Sequence, residues 1–125
     1  MELFKPSDYS KKANPKPEER LTLQLLEKKA EGMVGMFIIL PPGGGTPYHY
    51  HNKRESIMVV VSGKAKELVE GKKVHMDQGD ILFIPAKQKH GVMNDSGKEF
   101  RFIEFQAGDP NVPDRVEIEW KETRI

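Results

Sequence analysis

Hydrophobic residues along this chain fall mostly in short runs with a period of two. Met33–Leu40 is an apolar run closed by Pro41-Pro42-Gly43-Gly44-Gly45, residues that neither a helix nor a strand survives. Ser56–Val61 reads Ser-Ile-Met-Val-Val-Val, a continuous run expected of a strand buried on both faces, and Ser62-Gly63 ends it. In Lys64–Glu70 the residues Ala65, Glu67 and Val69 alternate with Lys, Leu and Glu, and Glu70-Gly71 reads as a hairpin turn into Lys72–Met76. The turn Asp77-Gln78-Gly79-Asp80 leads to Ile81–Ile84, which Pro85 stops, and His90–Asn94 is a short strand before Asp95-Ser96-Gly97. Phe100, Phe102 and Glu104 then alternate with Arg101, Ile103 and Phe105. Strand starts recur about every 8–12 residues, which predicts an all-β sandwich or barrel.

The ends of the chain are patterned differently. Residues 1–20 are polar and carry Pro6, Pro15 and Pro17, so an extended N-terminal segment is expected. Pro17-Glu18-Glu19, Lys28-Lys29 and Gly32 would suit a helix between them, but Leu21, Leu23 and Leu25 alternate with Thr22 and Gln24. The strand reading is preferred, because everything after it is strand-like. The tail 108–125 holds Pro110 and Pro113 and a last strand from Arg115 to Trp120. One domain over 1–125 is expected, with its core over 33–107.

Composition narrows the chemistry. Twenty basic and 19 acidic residues leave a net charge of +1, with no long like-charge block, so no nucleic-acid or membrane-surface partner is expected. The longest apolar run is far short of the ~20 residues that span a bilayer. Met1-Glu2-Leu3-Phe4-Lys5-Pro6 does not read as a signal peptide, and a cytoplasmic location is expected. With no cysteine there is no disulfide framework, thiolate nucleophile or Cys-type zinc site. Chemistry must come from His, Asp, Glu and the backbone.

Two of the four histidines sit at His49-Tyr50-His51, where an extended backbone turns both imidazoles to one face. Glu55 follows four residues after His51, and His90 opens a later strand. Three imidazoles and a carboxylate converging on one point suit a first-row transition metal with one or two positions open. Taken on spacing alone, His49 and His51 fit an exposed Tyr-, Gly- and Pro-rich loop equally well.

The surrounding residues carry a resemblance. Gly43, five residues, His49-Tyr50-His51, three residues and Glu55 resemble the first motif of the cupins. Gly79, five residues, Pro85, then His90, three residues and Asn94 resemble the second. The chain is similar to small single-domain cupins of type 2. The resemblance implies a double-stranded β-helix, or jelly-roll barrel. By position it also implies that His49, His51, Glu55 and His90 bind one divalent transition-metal ion, Fe, Mn, Ni or Zn. Two departures stand out. Seven residues, rather than the motif's six, separate Glu55 from Gly63, which would allow a bulge to move Glu55 and leave Ser56 in the ligand register of a three-histidine site. The motif's glycine after the proline is Lys87 here.

The resemblance implies a metal-dependent enzyme, of dioxygenase, isomerase or lyase type, acting on a small polar molecule inside the barrel. The alternative is a non-catalytic module that binds a small ligand or metal. Val59–Gly63 and Phe83–Ala86 also resemble the cupin part of mannose-type sugar-phosphate isomerases, for which Lys87 and Lys89 would be the phosphate candidates. His75 is expected at the surface, Tyr48 and Tyr50 facing away from the histidines, and Asn94 fixing a turn. Arg101, Glu104 and Gln106 are expected on a solvated strand edge. Small cupins usually pair, so a homodimer is expected, with Leu21–Leu26 adding a strand to the partner's sheet.

Overall fold

The computed structural model describes residues 1–9, 16–27 and 29–119. A helical turn, α1 (Pro6–Tyr9), precedes ten strands: β1 (Leu21–Gln24), β2 (Met33–Leu40), β3 (His49–His51), β4 (Glu55–Ser62), β5 (Ala65–Val69), β6 (Lys72–Met76), β7 (Ile81–Ile84), β8 (His90–Met93), β9 (Phe100–Ala107) and β10 (Arg115–Glu117). They form two five-stranded sheets, β1-β2-β9-β4-β7 and β10-β3-β8-β5-β6, in which every pairing is antiparallel. This is the double-stranded β-helix, as expected. No helix among the described residues is long and apolar enough to cross a membrane.

Period-two alternation builds the interior. Ile38 and Leu40 of β2, Met58 and Val60 of β4, and Phe100 and Phe102 of β9 point inward and meet Ala65, Met76, Ile84 and Val92. The β5–β6 hairpin turns through Glu70 (φ 47°) and Gly71 (φ 81°), two consecutive left-handed residues, the geometry that matches the right-handed strand twist.

Several expectations need correction. The N-terminal segment includes a helical turn whose Tyr9 ring packs, tilted by 58°, with its centroid 5.4 Å from that of Phe37 on the outer face of β2. Leu25, Phe37 and Ile39 form a second cluster there, covered by Phe4, Tyr9, Leu21 and Leu23. The leucine segment is a strand, as read, but Leu21–Gln24 pairs with Met36–Ile39 of its own chain. β4 is not buried on both faces: Ser56, Met58 and Val60 are inside, while Ile57 is 43% exposed. The last strand ends at Glu117, and Trp120 lies outside the described residues.

Lys87 explains one departure from the motif. Its φ of 71° lies in the left-handed region, which costs a residue with a Cβ roughly 1–2 kcal/mol. The turn holds because the Lys87 N–H donates to the His51 carbonyl at 2.7 Å, tying the residues before β8 to β3. Lys87→Gly should therefore raise stability by about 0.5–1 kcal/mol, the strain relieved less the extra chain entropy of glycine. Urea unfolding of the two proteins checks this; an unchanged or lower midpoint for the variant would show that the lysine is not strained there.

Candidate metal centre

β3 is short, and its burial alternates: His49 and His51 are inside, and Tyr50 is half-buried on the other side. His90, the first residue of β8, is the direct cross-strand partner of His49. Paired residues project from the same face of a sheet, so all three imidazoles enter the barrel together. Their ring centroids are 4.3 Å (His49–His90), 5.1 Å (His49–His51) and 5.8 Å (His51–His90) apart. One nitrogen from each lies within 4.8 Å of the others, close enough to hold a metal ion.

Backbone carbonyls set the tautomers. The Nδ1 of His49 lies 2.6 Å from the Pro47 carbonyl, and that of His90 lies 2.9 Å from the Gln88 carbonyl. A carbonyl only accepts, so in each neutral ring Nδ1 carries the hydrogen and Nε2 keeps its lone pair. Burial lowers His49 to a pKa of about 4, against the Pro47 bond that favours the charged form, and His90, His51 and Arg115 push the same way as burial. Burial also lowers His51 to about 4, helped by His90, Arg54 and Arg115 and opposed by Asp114. Neutral imidazoles are what a metal requires. Both ring nitrogens of His51 are buried without a hydrogen-bond partner, as is the Ser56 hydroxyl. Without an ion, only water in the cavity is left to satisfy that imidazole, and a neutral nitrogen facing two others is a donor set that fits an ion.

Glu55 is not brought into this group. Ser56, Met58 and Val60 face inward in unbroken alternation, so Glu55, one residue earlier, has its side chain exposed outside. The ladder irregularity in β4 lies between Val60 and Ser62, at the strand's far end, and does not turn Glu55 back. Asp114, which sequence reasoning missed, stands 3.9 Å from His51 Nδ1. Burial pushes its carboxyl up, but the N–H groups of Arg54 and Lys53, with the nearby His51 and Arg54 side chains, hold it below the usual range. Asn94 does fix a turn: it is fully buried, its amide donates to the carbonyls of Leu40, Pro41 and Lys98, and its oxygen accepts from Ser96. His75 is exposed, as expected. A cavity of about 400 Å³ reaches the cluster at His51 and is lined also by Arg54, Gln106, Arg115 and Met36, but not by Lys87 or Lys89.

Residues 36–105 match the family described as Cupin domain. The chain belongs to the cupins. An uncharacterised protein of Methanocaldococcus jannaschii is 30% identical over 56 residues, 45% of each chain, so the match spans under half of that relative. Among solved structures, a double-stranded β-helix protein of Klebsiella pneumoniae superposes with a TM-score of 0.78 at 24% identity, covering 95% of this chain and 98% of that one. The polyketide cyclase RemF of Streptomyces resistomycificus follows at 0.74 and 23%, covering 98% and 89%. Other cupin-like folds are described as a sugar phosphate isomerase, a predicted oxalate decarboxylase and a salicylate 1,2-dioxygenase, with TM-scores of 0.67, 0.67 and 0.62. These likenesses establish the fold and span several chemistries.

Within this cupin, further polar groups face the interior. Glu104 and Gln106 share the inward face of β9 with Phe102, which overturns the solvated-edge expectation for both. Gln106 donates to Glu104 at 2.7 Å and accepts from Arg54 at 3.0 Å. Glu67, on β5 opposite Val92, is fully buried, and neither carboxyl oxygen has a partner. Burial, and secondarily the Glu104 carboxylate, push its pKa well above the ordinary range. The folded chain therefore keeps a proton that the unfolded chain loses above the ordinary carboxylate pKa. Stability from this group is full at acid pH and falls as pH rises through that window, by about 1.4 kcal/mol per pH unit. Glu67→Gln removes the dependence. Its stability advantage over wild type, measured by thermal unfolding of metal-free protein, should widen from pH 5 to pH 8; a constant difference would show that Glu67 is ionised in the fold.

Proposed function

We propose that this cupin holds one divalent transition-metal ion through His49, His51 and His90 and is a metal-dependent enzyme acting on a small polar molecule. The observation that carries this reading is the convergence of three buried imidazoles, of which His51 has no hydrogen-bond partner at either nitrogen and also lines the cavity. Three protein donors leave coordination positions open, the usual arrangement of catalytic sites. When bound, the ion supplies a Lewis acid or a redox centre for substrate oxygens. The chain's own residues do the rest: the Pro47 and Gln88 carbonyls orient two donors, and the cavity admits substrate beside His51. That opening supports an enzyme over a storage module, which would favour a closed sphere.

Metal analysis of protein purified without added metal tests this. Wild type should carry close to one equivalent of ion, and His51→Ala or His90→Ala should fall to background. Glu55→Gln should match wild type, since its side chain lies outside. Equal metal content in wild type and the histidine variants would remove the metal reading.

We also propose that the chain forms a homodimer through the outer face of the β4–β7 half-sheet. Ile57 and Phe83 are paired neighbours there, with Phe105 beside Ile57 and Ile81 beside Val59, and Ile81 and Phe83 are 68% and 53% exposed. The chain's own N-terminal segment covers the other half of that face, so an apolar strip is left that a two-fold axis can pair with itself. Sedimentation at tens of micromolar should give a dimer, and Phe83→Glu a monomer. A monomeric wild type would rule out this contact.

A further inference from the structure

Arg54 is an unusual cation for its position. It lies three residues after His51, in the link to β4, and its backbone N–H donates to Asp114 at 2.8 Å. Its guanidinium donates to Gln106 Oε1 at 3.0 Å and to the carbonyls of Asp109 and Val112 at 2.7 and 2.9 Å. All three acceptors are neutral, and among the described residues Arg54 makes no ion pair. Three of the five guanidinium N–H donors are thus used to hold the group in place. Gly108 forms its seat: a Cβ there would come 2.7 Å from Arg54 Cγ. The fold fixes the guanidinium through neutral acceptors, with the Asp114 carboxylate near it but not in ion-pair contact.

That charge lines the cavity together with Arg115 and His51. Asp114, the carboxylate beside them, already accepts the N–H groups of Lys53 and Arg54. Leu26, Met33, Val34 and Met36 supply the apolar part of the lining, alongside Gln24, Pro110 and the Glu27 carboxylate. A cavity of about 400 Å³ has room for roughly a dozen heavy atoms at the ~30 Å³ that a water molecule occupies. The cavity thus combines the held guanidinium of Arg54, the Arg115 guanidinium paired with Glu117, and a share of hydrocarbon.

We propose that the cavity binds a small monocarboxylate with an apolar body, its carboxylate held by Arg54 and Arg115 beside His51 and its body against Leu26, Met33, Val34 and Met36. This names the substrate class for the site of the preceding section and rests on that reading only for the reaction, since the arginines bind with or without an ion. A planar carboxylate matches the donor fork of arginine. A sugar phosphate would leave Leu26, Met33, Val34 and Met36 without an apolar partner, and Lys87 and Lys89 do not line the cavity.

The test is calorimetric titration of benzoate, with benzamide as its neutral counterpart, into chelator-stripped protein and into zinc-loaded protein. In stripped protein benzoate should bind at least tenfold tighter than benzamide. Arg54→Gln should remove most of that preference, and Arg115→Gln, whose side chain pairs with the exposed Glu117, should remove part of it. Should Arg54→Gln fail to fold, Arg54→Lys keeps the charge but loses the planar donor fork and should weaken benzoate in the same way. Equal affinity for benzoate and benzamide would overturn the proposal. So would benzoate binding that appears only with zinc and ignores the arginine variants, an outcome that leaves the metal reading standing. Inorganic phosphate binding more tightly than benzoate would overturn the choice of carboxylate. Arginine-dependent benzoate binding in a protein that takes up none of zinc, iron, manganese and nickel would uphold this proposal while ending the metal reading.

Discussion

Pro47 and Gln88 each present a carbonyl to the imidazole two residues further along, and the rest of the site depends on those two contacts. A buried neutral histidine has one donor and one acceptor nitrogen, and either assignment is open until something chooses. Here the backbone chooses, so that both Nε2 lone pairs are left for the interior. Because the choice is made by main chain, it survives substitution of the side chains around it. Just past the other end of β8 the roles are reversed: the Asn94 side-chain amide donates to the carbonyls of Leu40, Pro41 and Lys98.

Polar groups inside the barrel are graded along its axis. The imidazoles share the cavity end with Arg54 and Gln106, and Glu104 follows through its bond to Gln106. Phe100, Phe102, Met58 and Val60 fill the remainder. Glu67 belongs to the second level, where burial rather than a partner decides its protonation. A carboxyl without a hydrogen-bond partner at full burial is tolerated only when neutral.

How much of this could be read from the sequence depended on whether the pattern carried a phase. His49 and His51 were legible because Tyr50 between them fixes which residues share a face, and His90 followed from its spacing to Pro85 and Asn94. β4 carries apolar residues on both faces, Ile57 and Val59 outside and Met58 and Val60 inside, so its alternation does not say whether Glu55 or Ser56 turns inward. Glu104 and Gln106 were hidden in the same way by phenylalanines on both sides of β9. Arg54 and Asp114 meet across 60 residues of chain, a contact made by folding alone. The barrel itself was legible, since turn residues at regular intervals do not depend on phase.

β3 and β8 pair at one position, His49 with His90, whereas β8 and β5 pair at four. Before that pair, Thr46 joins Val92 through both its N–H and its hydroxyl; beyond it, His51 is tied by the Lys87 N–H, a bond from a turn and not from the neighbouring strand. The two strands are therefore joined by one ladder pair with ties on either side of it. β10 is paired to β3 along its whole length and carries Arg115, so one side of this narrow seam holds His49, His51 and an arginine of the cavity, and the other holds His90. An ion shared by the three imidazoles would add a tie across the seam where the ladder is shortest. To whatever extent such an ion shifted the seam and with it the hold on a molecule in the cavity, that molecule would change the hold on the ion by the same factor.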